Sequence, residues 1–226
     1  MLRIQMIGLA LMATLVMSAV AAAGASAAEH LWLVNGKLVA SPVKVHSLGL
    51  LLLTDKTAPG GETIIHCHGF NDGTIGPHAL DLILAITAEL LGTNPRITCN
   101  YVKQGACESS PRPLALAVGL PWHTELYLEG TEVRDHITSD TPGGTIGWKV
   151  VCKAILLGTV TDECTNKLTS VKVTNVAGGV EGEFDAKSSL GDCKVGTEAV
   201  RTGAGKVVGT TLVENISSTE KLTFNL

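Results

Sequence analysis

His66-Cys67-His68, followed by Asp72 and His78, is the densest group of ligand-type side chains in the sequence. In an extended chain alternate side chains share a side, so His66 and His68 would project together. His78, from the loop beyond, would supply a third nitrogen for zinc or copper. The plainer expectation is two surface histidines beside a disulfide cysteine, because His-x-His is a common string and no pattern of supporting carboxylates accompanies it. His66, His68 and His78 are therefore the candidate metal ligands. Apart from such an ion, no cofactor is expected.

A second set is acidic: Glu125, Glu129, Glu132 and Asp135. Two carboxylates facing one sugar would do glycosidic chemistry, but spacing alone does not show that two converge. A charged strand edge and turn, discouraging edge-to-edge association, accounts for them more simply. His66-Cys67, Asp135 and Gly191-Asp192-Cys193 also occur in the chain order of a chymotrypsin-like hydrolase, whose His-Cys strand and nucleophile loop they resemble. The match ends at Lys194-Val195, where that family places the small glycines that shape its oxyanion hole. Gly-x-Ser-x-Gly, His-Glu-x-x-His, a phosphate loop and an EF-hand loop are all absent. No catalytic residue is assigned, and the chain reads as a non-enzymatic protein before it reads as a hydrolase or metal-dependent enzyme.

Leu120-Pro121-Trp122-His123-Thr124-Glu125-Leu126 is the most distinctive string. Pro121 lacks an amide donor and belongs at a strand start or bulge, and Trp122 is one of few large core-fillers. Core anchoring is the expected role, with Trp122 and His123 as an exposed recognition patch the alternative. The string follows Cys99 and Cys107. It is followed by Arg134-Asp135, Gly147-Trp148-x-Val150-x-Cys152, Asp162-x-Cys164 and Gly178-Gly179-Val180. Together these resemble a set of uncharacterised secreted proteins from high-GC Gram-positive soil bacteria. The resemblance covers most of the exported chain. It implies export and a β-rich, Cys- and Trp-framed body, and it transfers no catalytic or binding residue.

The elements that must position these side chains are strands. Leu31 to Val34 and Lys37 to Val39 flank Asn35-Gly36, the strongest short hairpin signal, because both turn residues need positive φ. Further strands are expected at Val43 to Leu53 and Thr63 to His68, separated by Pro59-Gly60-Gly61. Leu114 to Val118, Glu125 to Leu128, Gly147 to Leu157, Ser170 to Val176, Val180 to Phe184, Lys206 to Val213 and Lys221 to Phe224 complete the series. Residues 79–91 fit a helix through Leu80, Ile83, Leu84, Leu90 and Leu91. They also fit a strand through Leu80, Leu82, Leu84, Ile86, Ala88 and Leu90, which is the cleaner series. The fold class is all-β, a disulfide-stabilised sandwich or barrel with at most one helix, near 79–91.

Arg3 precedes an uncharged, mainly apolar run from Ile4 to Ala28 that ends in small residues. Ala25-Ser26-Ala27 suits signal peptidase, so residues 1–27 read as a signal peptide and 28–226 as a single secreted β domain. An uncleaved anchor is the alternative, since the run approaches the roughly 20 residues of a membrane helix. The six cysteines, Cys67, Cys99, Cys107, Cys152, Cys164 and Cys193, all follow that segment and read as three disulfides of an exported chain. Loop length favours Cys99–Cys107 and Cys152–Cys164, with Cys67–Cys193 as a long-range staple. No close Cys-x-x-Cys pair points to a metal instead.

The chain has 17 basic and 21 acidic residues, for a net charge of −4, without blocks of one sign. Nucleic acid is excluded as a partner, because phosphate recognition needs a basic face. Aromatic residues make up only 4%, too few for a ring-lined sugar cleft or the aromatic girdles of an outer-membrane barrel. The partner expected is a cell-surface or extracellular component.

Overall fold

The computed structural model describes residues 31–77, 81–88, 98–105, 114–154, 158–188 and 191–225. The expected signal peptide, His78 and Cys107 lie outside the described residues. The strands are β1 (Trp32–Val34), β2 (Lys37–Leu38), β3 (Val43–Asp55), β4 (Thr63–Ile75), β5 (Asp81–Ala88), β6 (Thr98–Gln104), β7 (Leu114–Val118) and β8 (Trp122–Glu129). They continue as β9 (Glu132–Ser139), β10 (Ile146–Ala154), β11 (Gly158–Asn166), β12 (Leu168–Asn175), β13 (Val180–Phe184), β14 (Asp192–Val195), β15 (Gly205–Asn215) and β16 (Leu222–Phe224). The described residues contain no α-helix.

Eight of these strands close on themselves. Neighbours run β3-β15-β13-β12-β9-β8-β5-β4, and β4 pairs back to β3, so an antiparallel barrel forms in which consecutive barrel strands are adjacent. Closure removes the free edges that an open sheet of this size would expose. The chain leaves the barrel three times, and the excursions build a second sheet of order β14-β11-β10-β7. A third sheet, β16-β1-β2, joins the two ends of the described chain. Its hairpin turns at Asn35 and Gly36 with φ of 55° and 75°, as the Asn-Gly pair requires.

Two apolar clusters fill the fold. One joins Trp32, Leu222 and Phe224 of the three-stranded sheet to barrel residues such as Val45, Val133 and Val173. The other joins Trp148, Val150 and Val195 of the four-stranded sheet to Leu53, Ile65, Ile137 and Val171. Each end of the barrel is thus packed against its own small sheet. No helix among the described residues is long and apolar enough to cross a membrane.

Residues 81–88 form a strand, the cleaner of the two series expected for 79–91, but its even-numbered face is broken. Asp72 pairs with Ala85 and Gly73 with Ile83, which leaves Leu84 as the extra residue of a bulge, exposed at 50%. The cysteines pair across strands instead of closing the shortest loops: Cys67 bonds Cys99 and Cys164 bonds Cys193. Register is the cause, since Cys67 lies opposite Cys99 on β4 and β6, and Cys164 opposite Cys193 on β11 and β14, each with Cα atoms 4.1 Å apart. Cys152 is disulfide-bonded as well, but not to Cys164. Bonds of this kind persist in an oxidising compartment.

Candidate functional site

The barrel encloses a cavity of about 170 Å³, lined chiefly by apolar side chains. It exists because inward positions alternate between modest hydrophobes and very small residues. On β3 the inward series is Val45, Ser47, Gly49, Leu51 and Leu53; on β4 it is Cys67, Gly69, Asn71, Gly73 and Ile75. An eight-stranded barrel is just wide enough for side chains to fill, so replacing several of them by glycine leaves room for one small molecule. The glycines also have a packing role. A Cβ at Gly49 would lie 2.3 Å from Thr211 Cγ2, and one at Gly182 would lie 2.9 Å from Thr211 Oγ1.

Polar atoms interrupt this lining. Asp135, on β9, is largely enclosed by protein and lines the cavity. Thr124 and the backbone of Glu125 lie near its carboxyl and partly offset the effect of burial. Oδ1 has no partner within the protein. Burial, reinforced by the neighbouring Asp81, pushes the Asp135 pKa up to about 8. Ser47 Oγ, Thr169 Oγ1 and Trp148 Nε1 are also buried, unpartnered and part of the lining. A buried polar group left without a hydrogen bond costs about 1–3 kcal/mol, and four such groups belong to residues that line this one space. Among the described lining residues Asp135 is the only charged one, and none is Lys, Arg or His.

All three tryptophans border this space: Trp32 from the three-stranded sheet, Trp122 from β8 and Trp148 from β10. Trp122 is half-buried, packs on the larger core cluster and donates Nε1–H to the Val118 carbonyl at 2.8 Å. Trp122 packs on the core and is also a wall of the cavity. His123, one residue on, is partly buried and lies near Asp81. β5 and β8 pair only through Asp81–Ile83 and Trp122–Thr124, and β8 begins directly after Pro121. Beside this short seam Leu116 both lines the cavity and is 39% exposed, so the lining comes to the surface there.

The other candidates are dispersed. His66 and His68 alternate on β4 with the inward Cys67 and so share the opposite, outer side of the wall. No three-ligand group among the described residues includes either of them. The residues of the hydrolase-like order do not converge: Asp135 faces the barrel interior, His66 lies on the other side of its strand, and Cys193 is bonded to Cys164. Glu129 and Glu132, at the β8–β9 hairpin, pair with Arg134 at 3.3 Å each, and Glu125 is exposed on β8.

A second buried polar group lies where the barrel meets the four-stranded sheet. Arg201 Nη2 contacts Asp55 Oδ2 at 2.6 Å, and Asp162 is fully buried nearby. Burial, then the adjacent Asp55, pushes the Asp162 pKa up to about 7. The sulfurs of Cys164 and Cys193 adjoin Asp55, but they are joined to each other, and this set therefore offers a metal one carboxylate rather than three ligands.

The string that resembles secreted soil-bacterial proteins is largely core. Thr124, Leu126, Trp148, Val150, Cys152, Asp162, Cys164 and Val180 are all buried. Comparison with protein families, curated proteins and solved structures finds no match. The barrel and its cavity are what this chain offers for a functional argument.

Proposed function

We propose that this protein is a non-enzymatic binding module, exported to the cell surface or medium, whose barrel holds one small and mainly apolar molecule. A single observation carries the reading: an apolar cavity inside a closed barrel, bordered by four buried polar atoms that no protein group satisfies. Concave, apolar sites with few polar groups are the usual form of small-molecule sites. The volume is close to that of engineered cavities of roughly 150 Å³ that accept benzene. Export is supported by the Arg3-led apolar segment and by disulfides that need an oxidising compartment. The likeness to secreted proteins of high-GC Gram-positive bacteria agrees with such a location.

Native mass spectrometry of protein recovered from its own host tests this reading. The expected result is one small organic adduct per chain, released by organic extraction. Protein that carries no adduct, and whose tryptophan emission responds to no small hydrophobe at millimolar concentration, would overturn it.

A further inference from the structure

We infer that the molecule held in the barrel is a small organic cation, an amine on an apolar body, whose ammonium group meets Asp135. This rests on the cavity being a binding site, as proposed above, and adds the chemistry of its occupant. The cavity's one acidic lining residue is Asp135, and no basic side chain among the described residues lines it. A carboxylate or phosphate would enter beside Asp135 and close to Asp81 with nothing to balance its charge, which low-dielectric surroundings penalise heavily.

The unpartnered atoms point the same way. Asp135 Oδ1 is an acceptor when ionised, Ser47 Oγ and Thr169 Oγ1 can accept or donate, and Trp148 Nε1 can only donate. Asp135 and Thr169 lie on adjacent strands, since Asp135 pairs with Val171 and Thr169 with Ile137. The two therefore form a diagonal inward pair within reach of one head group. An ammonium carries three donors and no acceptor, and an ionised Asp135 with Thr169 beside it can accept from it. Leu51, Val171 and Phe184 supply apolar surface for the body of the molecule.

Calorimetric titration of the disulfide-bonded protein at about pH 8.5, above the Asp135 pKa of about 8, with benzylamine, benzyl alcohol, benzoate and toluene tests the inference, because the four share a ring and differ in the head. Benzylamine is expected to bind at least tenfold more tightly than benzyl alcohol or toluene, with benzoate the weakest. Asp135→Asn keeps the shape and removes the charge; it should bring benzylamine down to the affinity of benzyl alcohol and leave toluene unchanged. Equal binding of all four, a preference for benzoate or benzyl alcohol, or an Asp135→Asn protein that keeps its preference for benzylamine overturns the cation while the cavity reading stands. Failure of every probe, toluene included, overturns both.

Discussion

The indole Nε1–H of Trp32 donates to Asp81 Oδ2 at 2.6 Å, and the other carboxyl oxygen accepts the Gly76 amide at 2.7 Å. One buried carboxyl thereby ties the three-stranded end sheet to the barrel wall. Trp32→Phe keeps most of the ring packing against Phe224 and Leu222 and leaves Asp81 short of a donor. The expected cost is about 1–3 kcal/mol in urea unfolding. A variant as stable as the parent would show that the bond does not anchor the end sheet.

Arg134 is fully buried on β9 beneath a set of acids. Its guanidinium donates to both carboxyl oxygens of Asp185, at 2.8 and 2.9 Å, and to Ser170. Arg134→Met strands Asp185 and is expected to cost about 3 kcal/mol. Arg134→Lys should recover only part of that, because an ammonium cannot form the two-pronged contact. Thermal and urea unfolding of the two variants side by side check this.

Stability should fall as pH rises through neutrality. Burial first, then neighbouring groups, hold Asp81 at about 6, Asp162 at about 7 and Asp135 at about 8. An acid with a raised pKa binds more protons folded than unfolded. Its stabilisation is complete below about pH 4 and is lost as pH climbs through the folded values, with a slope of about 1.4 kcal/mol per pH unit for each proton. Asp185 acts in the opposite sense: its hydrogen bond with Arg134 lowers its pKa to about 2. That contribution is present above about pH 4 and disappears as pH falls toward 2. Urea unfolding across pH 2–9 should therefore peak near pH 4–5 and decline toward pH 8, and Asp135→Asn should flatten the decline between pH 6 and 8.

The cross-strand bridges close loops of 32 and 29 residues. Loop-closure entropy gives each about 3.5 kcal/mol. Peptide mapping without reduction should recover Cys67 joined to Cys99 and Cys164 joined to Cys193. Replacing either pair by serine should lower stability by that order. Recovery of a Cys99–Cys107 or Cys152–Cys164 peptide would contradict the strand register.

Much of the barrel was legible in the residues, and the places where it was not share a cause. Asn35-Gly36 announced its hairpin because the turn geometry is local. β4 was expected to stop at His68, since Gly69, Asn71, Asp72 and Gly73 resemble a turn. The strand instead continues to Ile75, and the small residues are the ones that open the cavity. β9 was missed because Glu132 and Asp135, with Glu125 and Glu129, read as a solvated edge and turn. Arg134 is buried by acids from other strands and Asp135 by closure of the barrel. Ser47, Asp135 and Thr169 are far apart in sequence and line one interior only because the sheet closes, a relation that alternation within one strand does not encode. The nearest signal was Trp122 in its Leu-Pro-Trp string, expected in the core and found there as a cavity wall.

The most direct test of an enclosed binding cavity is methyl NMR of isoleucine, leucine and valine residues during titration with toluene. Saturable shifts at Leu51, Ile83, Ile137 and Val171, which line the cavity, with none at the exposed Leu48, Leu50 and Leu52 on the outer wall of β3, are the predicted result. Val171→Phe, which fills the space, should abolish them. Shifts confined to the outer wall, or no saturable shift in the parent protein, would contradict a ligand-holding barrel.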